Sequence, residues 1–260
     1  MKINYVVAGL TLVFAAGTFA ETPEEKGLAI AVEADKRDSG WVDRSADIHM
    51  TLRNAQGDER TRHIRNMVLE VADDGDKSLT IFEEPLDVKG TAFLSFTHAT
   101  EPDDQWIFLP SLNRVKRISS GNKSGPFMGS EFAYEDLSSP EVEKYSYTYL
   151  RDEAIDGKAC FVTERKPRYE HSGYSRLVEW TDAEMYQPRK IEYYDKKNTL
   201  LKTLTFKEYQ ELEEHYWRAK TMEMVNHQTG KSTTLEWKND QLNVGLDNRN
   251  FNQHALKRVR

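Results

Sequence analysis

The sequence contains one cysteine, Cys160, among its 260 residues. A single cysteine cannot close an intramolecular disulfide, so packing of the core has to hold the fold without a covalent cross-link. Cys160 lies in the strand-like run 158–162. A cysteine in such a run usually packs as a small hydrophobic residue and is seldom a reactive thiol. We therefore expect the Cys160 side chain to be buried.

The sequence also lacks an excess of positive charge. It carries 36 Lys and Arg against 43 Asp and Glu, a net charge of -7 with histidine neutral. A general nucleic-acid-binding protein relies on clustered basic contacts to phosphates. Beyond residue 20, no apolar run approaches the roughly 20 residues that a membrane-spanning helix needs. Composition thus predicts neither a nucleic-acid partner nor a stable membrane span.

Motifs for catalysis and metal binding are missing as well. The seven histidines are scattered, and no pair has the short helical spacing of a zinc site. We find no Gly-Xaa-Ser-Xaa-Gly nucleophile elbow and no phosphate-binding loop. Paired carboxylates could serve a glycosidase, but adjacent acids in turns are far more often solvated. Such pairs are Asp73-Asp74, Glu83-Glu84, Asp103-Asp104, Glu135-Asp136 and Glu213-Glu214. The sequence predicts no enzyme activity, no cofactor and no metal site.

The first twenty residues have the three parts of a secretory signal peptide. Lys2 gives the positive start, residues 5–16 form a short apolar run, and Thr18 and Ala20 place small residues at the positions that signal peptidase reads. A retained membrane anchor is the alternative, but the apolar run is shorter than a bilayer span. No cysteine follows the cleavage point, so we expect no acylation there. We predict cleavage near Ala20 and a single exported domain over residues 21–260.

Beyond the signal, the chain is dominated by short strands. Residues 23–38 have helical spacing, with Leu28, Ala29, Val32 and Lys36 recurring on one face. A two-residue period then begins and turn signals recur every eight to fifteen residues. The predicted strands are 41–52, 60–71, 78–83, 91–97, 105–109, 114–118, 142–150, 159–165, 174–181, 189–194, 200–209, 217–226 and 232–237. One helix cannot cover so many strands. We predict a single antiparallel sheet that curls around its own apolar face and can leave a cavity for an apolar ligand.

Aromatic and apolar alternation supplies the candidate ligand-binding residues. Side chains two positions apart on a strand share one face, and seven large residues follow this rule on three strands. The candidates for lipid binding are Leu94, Phe96, Trp106, Phe108, Tyr145, Tyr147 and Tyr149. An ordinary sheet core under a covering helix is the alternative explanation for any one strand. Arg114, Lys116 and Arg117 form a small basic cluster, which is either a solvated strand face or a contact to a lipid headgroup or a partner.

A longer pattern lies between residues 90 and 137. It reads Asp-Asp-Gln-Trp-Ile-Phe-Leu-Pro-Ser-Leu-Asn-Arg-Val-Lys-Arg-Ile over residues 103–118 and Phe-Met-Gly-Ser-Glu-Phe-Ala-Tyr-Glu-Asp-Leu over residues 127–137. This segment, with its lead-in at 90–94, resembles the LolA-like family of outer-membrane lipoprotein-sorting proteins. Pro126 departs from the pattern, standing where we expect a small polar residue.

The resemblance implies a fold, a ligand and a location. The fold is an all-β, half-open antiparallel barrel of the LolA/LolB type, with an N-terminal helix and short helices that plug its concave face. The ligand is a lipoprotein acyl chain or another lipid, and the location is the periplasm. Members of this subgroup look like partners of inner-membrane transporters of the resistance-nodulation-division (RND) class. Two hypotheses follow: a lipid or lipoprotein carrier, or a non-catalytic accessory subunit of such a transporter that presents residues 114–117 and 119–129 to its partner.

Overall fold

A computed structural model describes residues 21–72 and 74–257 of the chain. The predicted signal peptide, residues 1–20, lies outside the described residues. The described chain forms one α-helix, α1 (Pro23–Arg37), followed by strands. These are β1 (Asp43–Arg53), β2 (Glu59–Leu69), β3 (Lys77–Glu84), β4 (Ala92–Phe96), β5 (Asp104–Leu109), β6 (Arg114–Arg117), β7 (Tyr145–Ile155), β8 (Lys158–Pro167), β9 (Tyr174–Asp182), β10 (Pro188–Asp195), β11 (Leu200–Leu212), β12 (Tyr216–Asn226) and β13 (Ser232–Leu242).

All thirteen strands belong to one antiparallel sheet. Their spatial order is β6-β5-β4-β3-β2-β1-β13-β12-β11-β10-β9-β8-β7. Two runs of hairpins therefore meet at a seam in which β1 pairs with β13, for example Asp47 opposite Lys238. The sheet does not close, because β6 and β7 lie at opposite edges although they are consecutive in the chain. The predicted curled antiparallel sheet with one N-terminal helix is confirmed.

The segment between the two edge strands returns across the inner, concave face of the sheet. We call residues 121–142 the plug. The plug contains short 3-10 turns at Phe127–Gly129 and Tyr134–Leu137. It brings Phe127 and Phe132 into the main apolar core. Short helical turns on the concave face are thus present as the family resemblance implies.

Helix α1 begins with a capping box and lies against the edge strand β7. The Thr22 hydroxyl accepts a hydrogen bond from the Glu25 amide at 3.1 Å, and the Glu25 carboxylate accepts one from the Thr22 amide at 2.8 Å. Gly27 allows the close approach, because a Cβ there would stand 2.8 Å from the Tyr149 amide nitrogen. The helix buries Gly27 and Ile30.

The predicted helix is present, but the predicted apolar face is wrong, because Leu28, Ala29, Val32 and Lys36 are all exposed. Leu28 and Val32 remain 46% and 48% exposed. The contact is made instead by the face that carries Gly27, because the missing side chain lets the helix backbone approach the strand closely. No helix within residues 21–72 and 74–257 has the length and apolar character to cross a bilayer.

The opposite, outer face of the sheet holds two smaller apolar clusters. The first lies on β3, β4 and β5 and is covered by Phe251 and Leu256 of the C-terminal segment. The second surrounds Cys160 with Val162, Val178 and Trp180. Cys160 is buried as predicted, and burial raises the pKa of its thiol.

Candidate ligand-binding cleft

The inner face of the sheet is divided into two regions. We call strands β1–β6 the filled half and strands β7–β12 the open half. In the filled half, the ring of Phe127 lies 5.2 Å from that of Phe93 and 5.7 Å from that of Phe82, centroid to centroid. The Tyr134 ring meets Phe127 edge-on at 5.5 Å. These contacts occupy the inner face of the filled half with side chains of the protein itself.

Two adjacent carboxylates fix the plug against the open half. Asp136 forms an ion pair with Lys202 at 2.6 Å and accepts a hydrogen bond from the Tyr174 hydroxyl at 2.8 Å. Glu135 accepts hydrogen bonds from the Ser172 hydroxyl at 2.9 Å and the Gly173 amide at 2.7 Å. Burial, reinforced by the neighbouring Asp136 charge, raises the pKa of Glu135. The expectation that this acidic pair is solvated is wrong, because both side chains serve as buried acceptors.

Asp103 holds the ends of the same segment. Its carboxylate contacts the ammonium groups of Lys144 and Lys123, the latter at 3.2 Å, and accepts a hydrogen bond from the Ser138 hydroxyl at 2.8 Å. Burial alone would raise the pKa of Asp103, but the hydrogen bond and charge of Lys144 and the charge of Lys123 hold it below its usual value. Asp103 is thus a structural anchor, again in contrast to the solvated pair that we expected.

The open half faces a cleft of about 1630 Å³. Helix α1 forms one wall with Ile30, Ala31 and Ala34, and the last residues of the plug form another. The floor is made by inward-facing side chains of β7–β12. Its apolar and aromatic members are Tyr145, Tyr147, Tyr174, Leu177, Ile191, Tyr193, Leu204, Phe206 and Met222. A concave, largely preformed space lined in this way is the usual form of a small-molecule site.

A charged pair lies within this floor. The Arg165 guanidinium on β8 is 3.2 Å from the Glu179 carboxylate on β9, Nη1 to Oε2, and both side chains line the cleft. The Arg165 group also stands 5.0 Å from the centroid of the Tyr145 ring. Burial raises the pKa of both Tyr145 and Tyr147, so these phenols stay neutral. The floor is therefore amphipathic.

The rim of the cleft is acidic. Carboxylates from the end of α1, the β2–β3 turn and the end of the plug converge there, and burial raises the pKa of Asp76 to about 6 and that of Glu141 to about 7. The charge of Asp76 contributes to the shift of Glu141. Including the floor, the lining contains thirteen Asp or Glu and four Lys or Arg.

The structure brings together two of the predicted lipid-binding residues in the cleft. Tyr145 and Tyr147 line it. Tyr149 continues the same strand but lies beneath α1, where the Lys26 ammonium is 3.5 Å from the centroid of its ring. The predicted alternation on β7 thus reaches the cleft at its first two positions.

The other four predicted residues lie elsewhere. Leu94, Trp106 and Phe108 belong to the outer-face cluster under Phe251 and Leu256, and Phe96 packs against it. The residues predicted to share a face do share one, but it is the outer face of the sheet. Phe93 and Ile107, their neighbours in the sequence, point inward. The four residues consequently do not line the cleft.

Several floor residues were missed by the sequence analysis. Ile191 and Tyr193 alternate on β10, and Leu177 and Glu179 on β9, so periodicity held a usable signal for them. Arg165 gave no signal, because a charged residue on a strand is ordinarily solvent-facing. The basic residues Arg114, Lys116 and Arg117 are exposed on edge strand β6, outside the cleft, and Arg117 contacts Asp104.

A protein-family model described as "Uncharacterized protein" matches residues 74–258. No curated protein matches the chain significantly. Among solved structures, a putative outer membrane lipoprotein-sorting protein domain from Vibrio parahaemolyticus is 55% identical, with a TM-score of 0.89 over 90% of this chain and 99% of that chain.

Two further solved structures share the architecture. A DUF1329 family protein from Desulfovibrio piger is 29% identical, with a TM-score of 0.86 over 90% of this chain and 99% of its own. A LolA superfamily protein from Nitrosomonas europaea is 21% identical, with a TM-score of 0.70 over 88% of this chain and 98% of its own. The latter likeness concerns the fold alone.

Proposed function

We propose that this chain, which belongs to the LolA-like family of outer-membrane lipoprotein-sorting proteins, is a periplasmic carrier that holds lipoprotein acyl chains or another lipid in its cleft. The observation that carries the proposal is the open half of the sheet, with a lined space of about 1630 Å³ beside a half that is already filled. Typical small-molecule pockets have about 300–1000 Å³. The cleft therefore has room for a long chain.

To move an acyl chain through water, a carrier has to shield the chain from solvent, and no covalent reaction is needed. Transfer of one buried acyl CH₂ into water costs about 0.8 kcal/mol. A sixteen-carbon chain would thus cost on the order of 10 kcal/mol to move unshielded through water. A floor of aromatic and aliphatic side chains removes most of this cost. We propose that the protein acts without catalysis and without a cofactor, after export directed by residues 1–20.

Two alanines on α1 allow a matched test. Ala34 lines the cleft, whereas Ala29 on the same helix is exposed. Ala34→Trp should fill the cleft and weaken binding of a fluorescent monoacylglycerol about ten-fold or more, while Ala29→Trp should leave it unchanged. Mass spectrometry of the protein purified without detergent should find bound acyl lipid. Absence of both co-purified lipid and probe binding would overturn the proposal.

A second function is favoured by the filled half and its exposed basic edge. We propose as the alternative that β6, with Arg114, Lys116 and Arg117, contacts an inner-membrane RND-type transporter, the chain serving as an accessory subunit. Cross-linking from position 116 in the native envelope distinguishes the two. Capture of a transporter subunit together with an empty cleft would favour the accessory role, and lipid without a membrane-protein adduct would favour the carrier.

A further inference from the structure

The position of Arg165 and Glu179 indicates how the cleft recognises its ligand. The pair lies on β8 and β9, the two strands next to the edge strand β7, and Arg165 stands opposite Tyr147 on one side and Leu177 on the other. The two side chains keep only 12% and 16% exposure, and that exposure is toward the cleft that they line. A charged pair placed among apolar side chains is expensive unless its polar atoms are satisfied. A ligand that hydrogen-bonds to it would recover part of this cost.

Arg165 has hydrogen-bonding capacity to spare. A guanidinium carries five N–H donors, and its ion-pair partner within the described residues is one carboxylate, at 3.2 Å. Its Nε has no hydrogen-bond partner there. Glu179, in contrast, also accepts a hydrogen bond from the Thr181 hydroxyl at 3.2 Å. Within the described residues, Arg165 therefore has an N–H donor to spare, and a ligand in the cleft would have to supply a hydrogen-bond acceptor for it.

The charge around the pair decides which kind of acceptor fits. Glu179 already balances the Arg165 charge, and the lining as a whole has thirteen acidic against four Lys or Arg side chains. An anionic headgroup would enter a region of like charge, which opposes binding. A neutral carbonyl oxygen accepts a hydrogen bond from the guanidinium without adding negative charge.

We propose that the cleft selects neutral acyl esters or amides, whose carbonyl oxygen accepts a hydrogen bond from Arg165, and discriminates against acyl ligands with an anionic headgroup. This inference rests on the proposed carrier function and names the ligand class of the same cleft. The acyl chain lies along the aromatic floor, and the side chain of Arg165 tilts to present its donors to the linkage.

The test compares three amphiphiles that share a sixteen-carbon chain, below their aggregation limits at pH 8. These are the glycerol monoester, the glycerol monoether and the free fatty acid. Competition against the fluorescent monoacylglycerol should rank the ester about ten-fold tighter than the ether, which lacks the carbonyl, and about ten-fold tighter than the fatty acid. Higher salt should reduce the difference in affinity between the ester and the fatty acid. It should leave the difference between the ester and the ether unchanged.

The chain supplies a matched control pair. Arg176 and Glu164 lie on the same two strands at 3.3 Å, with 21% and 18% exposure, but outside the cleft lining. The double variant Arg165→Met/Glu179→Met should bind ester and ether equally. Arg176→Met/Glu164→Met should keep the wild-type ranking. Changing both partners together avoids leaving one charge unpaired.

The outcomes separate the two proposals. Equal affinity for ester and ether, or tightest binding of the fatty acid, would overturn the selectivity and leave the carrier function standing. Failure of all three amphiphiles and of the probe to bind would overturn both. If the Arg165→Met/Glu179→Met protein does not fold, as judged by circular dichroism, the ranking by the unmodified protein still decides the matter.

Discussion

The filled and open halves of the sheet are built from the same kind of strand but meet different partners. In the filled half, inward side chains such as Phe82, Phe93 and Ile107 are apolar and pack against the plug. In the open half, the inward positions include Arg165 and Glu179, and they face a cleft. The apolar inner face of the filled half is thus covered by the plug, a segment of the same chain. The other half keeps polar groups that a hydrated or ligand-filled space can satisfy.

The largest expected effect comes from emptying the filled half. Phe127→Ala removes a side chain that is 2% exposed and should lower the free energy of unfolding by about 3–5 kcal/mol. Phe206→Ala, on the cleft floor, should cost roughly 1–2 kcal/mol, because that ring is only partly buried. Urea unfolding monitored by circular dichroism measures both. Equal losses would mean that the two halves are packed alike.

A somewhat smaller effect is expected where the plug is tied to the open half. Lys202→Met leaves Asp136 without its buried ion-pair partner and should cost roughly 3 kcal/mol in the same unfolding experiment. Lys207→Met is the control, because Lys207 lies on β11 like Lys202 and pairs with Glu223 of β12, but its side chain is exposed. Its cost should stay within about 0.5 kcal/mol. A Lys202→Met protein as stable as the control would show that the plug does not depend on this pair.

The smallest effect concerns the acidic rim and its pH dependence. Burial raises the pKa of Asp76 to about 6 and that of Glu141 to about 7, whereas unfolded carboxyls titrate near pH 4. The folded state therefore holds these protons more tightly. The stability they contribute is fully present below about pH 4 and is lost as the pH rises through about 6–7. Other carboxylates that contribute to these shifts are Asp35, Asp38, Glu70 and Glu143.

Glu141→Gln keeps the neutral form at every pH. It should raise the melting temperature at pH 8 by a few degrees, since each kcal/mol of added stability shifts the melting temperature by about 2–4 °C. The gain should be smaller at pH 5, where Glu141 is already protonated in the folded state. Glu184→Gln is the matched control, because the Glu184 side chain is 86% exposed, and it should change little at either pH. A Glu141→Gln gain that is the same at both pH values would argue against proton binding at the rim.

The fold was largely readable from the sequence, and the site was not. All thirteen predicted strands are present because each is a short alternating run between turn residues. Strands β11 and β13 run on to Leu212 and Leu242, beyond the predicted ends, because backbone pairing continues after the apolar pattern stops. Alternation grouped Leu94 with Phe96 and Trp106 with Phe108 correctly. It could not say which face of the sheet is concave, since that depends on where the plug and the C-terminal segment pack.

Charged residues show the same limit. Glu135 and Asp136 looked like solvated turn residues, yet they accept hydrogen bonds from residues some 37 or more positions away in the chain. Arg165 faces inward, and its charge is balanced there by Glu179 on the next strand. Such partners come together through strand order, which local sequence does not encode.

The seam between β1 and β13 has a consequence for the order of folding. Each run of hairpins forms from neighbours in sequence, but the seam joins residue 47 to residue 238. Contacts between such distant residues form slowly, because a long loop must close before they are made. Strand β1 has no partner on that side until nearly the whole chain has been synthesised. We expect the complete thirteen-stranded sheet to form late, after each run of hairpins has formed.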